Sequence, residues 1–163
     1  MNSAELRAAV RARNGIATTG EGLAGHTDID EAIVAALSDI AGEHRWPWLA
    51  TSTTITFQAS DGKSASLPAF TQIRALEIGE APVPSVSLDE FLHRDRLYVY
   101  ADLGDALAIY PTPENDTSAT LYFFQPEPAL ETDESSPLLP EAWHRVLVAR
   151  ASYHLNARRG RSD

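Results

Sequence analysis

The chain has 163 residues, no cysteine, and a formal charge of −10 set by 23 acidic residues against 13 Lys and Arg. That length fits one domain with room for an insertion, and the missing cysteine excludes disulfides, thiolate metal sites and a cysteine nucleophile. The negative charge argues against a protein that grips nucleic acid, which depends on Lys and Arg neutralising phosphate. No apolar run is long enough to span a bilayer and no h-region opens the chain, so a soluble protein without an export signal is expected.

In chain order, Asn2 to Arg13 reads as a short polar helix through Leu6, Ala9 and Val10, broken at Asn14-Gly15. Residues 15–26, with four glycines, read as a flexible connector. No Gly-Lys-Ser/Thr follows, so a phosphate loop is rejected. Thr27 or Asp28 caps the next predicted helix. Its apolar stripe is Ile29, Ile33, Ala36, Leu37 and Ile40, and Gly42 with Trp46-Pro47-Trp48 is expected to end it. The two tryptophans at this corner read as core plugs rather than stacking platforms.

From Thr51 the period changes to two, with Ile55 and Phe57 on one side. Ser60-Asp61-Gly62-Lys63 signals a hairpin into Ala65–Leu67, and Phe70–Ile78 is a further strand. Ala81–Pro84 reads as a proline-rich link and Ser87–Leu92 as a short capped helix. Arg96–Ala101 pairs with Leu107–Tyr110 across Asp102–Asp105, and Thr117–Gln125 is the last strand. An exposed acidic link follows to Pro137. A final helix then starts at Pro140 and runs to about Arg159. Its polar side is read as Arg145, Ser152, Asn156 and Arg159, against Trp143, Val146, Leu147, Ala151, Tyr153 and Ala157. Arg150 and His154 fall inside that apolar arc; they either snorkel from its edge or meet another subunit.

Charge is segregated along the chain. Acids crowd residues 77–134, while arginines hold the ends: Arg7, Arg11 and Arg13, then Arg145, Arg150, Arg158, Arg159 and Arg161. The five histidines form no metal-binding or hydrolase motif. A metal site of His93 with Asp89 or Asp95 is imaginable, and carboxylate pairs such as Asp102 and Asp105 could serve glycoside hydrolysis. Both read better as surface and turn residues. No enzyme, cofactor or bound metal is expected. The element order predicts an α+β fold: N- and C-terminal helices packed together, with a small antiparallel sheet or sandwich inserted between them.

Several short motifs occur in a definite order. They are Ile29-Asp30-Glu31-Ala32-Ile33, Trp46-Pro47-Trp48-Leu49, Leu67-Pro68-Ala69-Phe70, Ala108-Ile109-Tyr110-Pro111-Thr112-Pro113, Leu121-Tyr122-Phe123-Phe124 and Leu139-Pro140-Glu141-Ala142-Trp143-His144. In that order the chain resembles the head-to-tail adaptor, or head-completion, proteins of tailed double-stranded DNA bacteriophages, over residues 27 to about 155. The first 26 residues carry no pattern of that family.

The resemblance implies a non-enzymatic virion protein at the neck, assembled in the host cytoplasm. It would form a ring, commonly dodecameric, beneath the portal protein. The ring would offer its lower face to a stopper or tail terminator, and DNA would pass through without specific binding. The expected organisation is a flexible segment 1–26, an adaptor domain 27–159 and a tail 160–163. Within the domain, a helical core (27–45 and 138–159) would carry a β-rich insertion (50–128). Expected contact residues are Arg158, Arg159 and Arg161 for portal docking, Arg150, His154 and Trp143 for the subunit interface, and Asp102, Asp105, Glu114 and Asp116 facing the channel. The alternatives are a carbohydrate-binding β module using Trp46, Trp48 and the tyrosines as stacking platforms, or a small hydrolase of the middle carboxylates.

Overall fold

The computed structural model describes residues 1–16, 26–93, 98–158 and 160. The chain divides into two compact units, a helical one of Met1–Leu49 with Glu127–Asp163 and a β one of Ala50–Pro126. The fold is α+β: helices from both ends of the chain pack together, and antiparallel sheets are inserted between them in sequence.

The helical unit contains α1 (Ser3–Arg13), α2 (His26–Glu43) and α4 (His144–Arg158). A reciprocal cap starts α1: the Asn2 side chain accepts the Glu5 amide at 2.9 Å while the Glu5 carboxylate accepts the Asn2 amide at 2.9 Å. At its other end Asn14 donates to the Val10 carbonyl, and Gly15 takes a φ of +62°, the break that Asn-Gly predicts. The expectation of a flexible segment over 1–26 fails for this helix. Leu6 and Val10 are fully buried among the α2 and α4 side chains, and that burial holds α1 in the core. The connector expected beyond it lies, for residues 17–25, outside the described residues.

The predicted stripe of α2 is the buried one, with Ile29, Ala32, Ile33, Ala36, Leu37 and Ile40 all inside. α2 ends at Glu43, one residue past Gly42 and before Trp46-Pro47-Trp48, where these residues are expected to close it. The link 127–137 has mostly exposed side chains, but its backbone is tied down. Ser135 and Asp133 carbonyls accept the amides of Ser3 and Ala4 at 2.8 and 3.2 Å, two of the donors that a helix N-terminus leaves unpaired. Pro140 precedes a 3₁₀ turn (Glu141–Trp143), so regular helix begins only at His144.

The apolar arc of α4 is the main correction. His144, Leu147, Val148, Ala151, Ser152 and Leu155 are buried, whereas Val146 is 45% and Tyr153 70% exposed. Ser152, expected on the polar side, is inside because its hydroxyl is satisfied there. It donates to the Val148 carbonyl at 2.8 Å and receives Asn14 Nδ2 at 3.0 Å.

The β unit holds a four-stranded antiparallel sheet in the order β1 (Ala50–Phe57), β6 (Thr117–Phe124), β2 (Gln72–Ile78), β3 (Ala81–Val83), and a two-stranded one, β4 (Val99–Asp102) with β5 (Leu107–Tyr110). Inward residues of both sheets share one core, among them Phe57, Leu76, Leu121, Tyr100 and Leu107. α3 (Leu88–His93) is capped by Ser87, as its sequence predicts.

Two expectations change here. The expected link Ala81–Pro84 supplies strand β3, where Pro82 is tolerated because the strand is an edge. The expected strand Ala65–Leu67 is not formed. The hairpin turn instead gives single bridges, Ser64 to Phe57 and Lys63 to Ala108, before Pro68. Within that turn Gly62 has a φ of +71° and a Cβ there would lie 2.9 Å from the Ile109 carbonyl oxygen, so only glycine fits. Residues 96 and 97 of the expected strand Arg96–Ala101 lie outside the described residues.

Candidate docking surfaces

The polar chemistry of the helical unit begins with a division of charge between two helices. α2 carries Asp28, Asp30, Glu31, Asp39 and Glu43 and neither Lys nor Arg; α4 carries Arg145, Arg150 and Arg158 and no acid. Arg150, His154 and Arg158 stand four residues apart, one above the other on the edge of α4 that meets α2. Arg150 pairs with Glu43 and, through Nε at 3.3 Å, with Asp39. His154 Nε2 lies 2.8 Å from the same Asp39 carboxylate, and Arg158 pairs with Glu31. The neighbouring carboxylates of Glu43 and Asp39 push the Arg150 guanidinium upward, so it stays charged. These pairs run along an antiparallel helix contact.

A second ionic set joins α1 to its surroundings. Arg7, whose side chain keeps only 13% of its exposure, pairs with Asp30 of α2 and Asp133 of the link. Half-buried Glu127 accepts the Leu138 amide at 2.5 Å and closes the link into a loop. Burial pushes its carboxyl above the ordinary value, against the backbone amides of Leu138 and Leu139 that favour the charged form.

The tryptophans form one cluster. Trp46 stacks on Trp48 with ring centroids 4.4 Å apart, and Trp143 meets Trp46 edge-on at 5.1 Å. The Trp46 indole donates to the Ile40 carbonyl at 2.6 Å. Because Trp46 and Trp48 spend faces on each other and belong to the helical unit, the stacking platform of a carbohydrate-binding β module is not built here. Their reading as plugs holds in part: both pack half-buried against the helical core.

Of the expected subunit-interface residues, Arg150 and His154 thus find their partners within the chain, which accounts for charged groups at the edge of an apolar arc. Trp143 is 37% exposed at the rim of the indole cluster. Of the expected portal-docking arginines, Arg158 belongs to the helix pairing, and Arg159 and Arg161 lie outside the described residues.

The four expected channel acids are all exposed, but they form two pairs at opposite ends of β5. Asp102 accepts the Gly104 amide at 2.8 Å in the β4–β5 turn that also holds Asp105. Asp116 accepts the Ala59 amide at 2.9 Å in the loop that carries Glu114. His93 Nδ1 lies 3.7 Å from Asp89 and bonds its carbonyl at 2.7 Å, while Asp95 is outside the described residues. Among the described residues no group of three or more acids and histidines is placed to hold a metal ion, and no helix is long and apolar enough to cross a membrane.

Sequence reading misses the acidic half of the α2–α4 ladder. Its signal is present in the sorting of all five α2 charges to one sign and all α4 arginines to the other.

The sequence model of the SU10 adaptor protein matches residues 1–162. The chain belongs to the SU10 adaptor protein family. This is a bacteriophage structural family of the head-to-tail adaptor type, and its match extends over the first 26 residues, where the motifs alone carry no family pattern. Comparison with curated proteins gave no match.

Proposed function

We propose that this family member assembles as a ring, commonly dodecameric in adaptors of this type, between the portal protein of the DNA-filled head and the next neck component, a stopper or tail terminator. The reading is carried by family membership over nearly the whole chain. It is supported by the division into a helical unit and a β unit. In this reading the helical core, with α1 included, is the adaptor domain proper, and the β unit is its insertion. The protein resides at the virion neck after assembly in the host cytoplasm, and it catalyses nothing.

The ring extends the DNA channel. Asp102, Asp105, Glu114 and Asp116 face or approach the lumen, where carboxylates repel phosphate and DNA passes without specific binding. Trp143 lies toward the subunit boundary, with Arg150 and His154 behind it in the charge ladder.

Portal docking falls to the basic end of the chain. Arg158 is occupied by Glu31, so Arg159 and Arg161 supply the charge-assisted hydrogen bonds to an acidic portal groove, and ring symmetry multiplies a weak contact. Truncation after Asn156 tests this. Leu155 is retained, so the protein should stay folded yet fail to join portal-bearing heads. Normal joining by the truncated protein would remove the C-terminal arm as the anchor.

A further inference from the structure

α4 is apolar on two opposite sides. Leu147, Val148, Ala151 and Leu155 are buried against α1 and α2. On the back of the same helix Val146, Ala149, Tyr153 and Ala157 recur at three- and four-residue spacing, the pattern of a second helix-packing stripe. Tyr153 is 70% exposed and Val146 45%. A helix apolar on both sides is characteristic of one with a partner on each.

The shape of the back stripe specifies what covers it. Ala149 and Ala157 flank Tyr153 along the helix, so the phenol ring stands out as a knob. The outer face of α2, with Arg158 of α4 at its edge, supplies the matching depression: Ala35 and Ser38 are small residues beside exposed Val34, and Glu31, already paired with Arg158, lies on its border. Charge agrees. Arg145 lies next to the stripe without an ionic partner among the described residues, and Asp28 of α2 is likewise exposed and unpaired there. The pairing of an acid-only α2 with a base-only α4, which builds the inner contact, is thus available a second time between molecules.

We propose that the back of α4 is covered by the outer face of α2 from a second copy of this chain. Tyr153 seats against Val34, Ala35 and Ser38 of the neighbour, with Arg145 near its Asp28. The proposal rests on the ring reading above and names the surfaces that join its subunits. Because two different surfaces of one chain meet, the contact is head-to-tail and propagates from copy to copy, as a ring requires, rather than ending in a closed pair.

The absence of native cysteine makes the test clean. A full-length Ser38→Cys/Ala149→Cys double variant keeps Val34 and Tyr153 in place, and a short bis-maleimide should convert it into a ladder of dimers, trimers and larger species. Either single-cysteine variant should give none beyond the dimer. Adding Tyr153→Asp, at a position where folding needs no side chain, should weaken association about tenfold or more and collapse the ladder with an unchanged circular dichroism spectrum.

Multimers by light scattering without a ladder would overturn this interface and leave the ring reading standing. A double variant that stops at dimers would overturn the head-to-tail contact. Monomers at every concentration, with no ladder, would overturn the second copy as occupant. The ring reading itself is then judged separately, by imaging the neck of assembled particles.

Discussion

Leu155 and Tyr153 stand two residues apart on α4, yet one is fully buried and the other 70% exposed, so a pair of alanine substitutions reads the rotation of the helix. Leu155 closes the helical core with Leu6 and Val10 in the same cluster, and replacing it leaves a cavity at a contact of three helices. A Leu→Ala change of this kind costs about 3 kcal/mol, within the usual ~2–5. Tyr153→Ala removes a ring that touches little within its own chain and should cost about 0.5 kcal/mol or less. All three tryptophans, Trp46, Trp48 and Trp143, belong to the helical unit, so tryptophan fluorescence follows that unit alone in a urea titration. With a slope of about 1.5 kcal/mol per molar urea, Leu155→Ala should lower the midpoint by about 2 M while Tyr153→Ala leaves it in place at low protein concentration. A larger shift for Tyr153→Ala than for Leu155→Ala would mean that α4 is rotated by about half a turn, with Tyr153 rather than Leu155 in the core.

Two further outcomes follow from local geometry. Gly62→Ala forces a side chain into a left-handed turn and toward the Ile109 carbonyl, and should cost the β unit about 2–3 kcal/mol; slowed hydrogen exchange at Ile109, or an unchanged one, would refute it. Glu127 gives a pH effect with a definite sign. Its folded carboxyl binds a proton more readily than the unfolded one, whose ordinary value is 4.5, so its contribution is most favourable below that value and is lost as pH rises through the higher folded one. Glu127→Gln keeps an acceptor for the Leu138 amide without the buried charge. It should therefore be neutral or stabilising at pH 7 and flatten the stability profile above pH ~4.5, which thermal melts across pH 4–7 would check.

Much of the architecture is legible because each element depends on its own residues. The α2 stripe, the period-two run through Ile55 and Phe57, the Ser87 cap and the Asn14-Gly15 stop all appear where the sequence puts them. What fails is decided by distant neighbours. Pro82 looks like a strand breaker, and whether it stands in a strand depends on β3 being an edge, a fact of sheet order. The terminal segment looks polar and loose because Leu6 and Val10 are its only strongly apolar residues in the helix body, and their value lies in the core they reach. The interaction surfaces are half legible: Arg150 and His154 stand out as misplaced on an apolar arc, but the carboxylates that place them are more than a hundred residues away in sequence.

The error on α4 has a physical cause that bears on assembly. A helical wheel finds the core side when one side is apolar, as on α2; it has no basis for choosing when Leu147 and Leu155 stand on one side and Val146 and Tyr153 on the other. The stripe through Val146 and Tyr153 reads as a core because it has the composition and spacing of one. Its chain-internal partner is missing among the described residues, while the opposite stripe takes the core and recruits Ser152 and His144 by satisfying their hydrogen bonds there. Selection for a monomer would favour charge at Val146 and Tyr153, as Arg145 supplies one residue away, because exposed apolar stripes invite association. Retaining both stripes on a helix edged by Arg150, His154 and Arg158 is what a subunit needs when one side of α4 builds the molecule and the other builds the assembly.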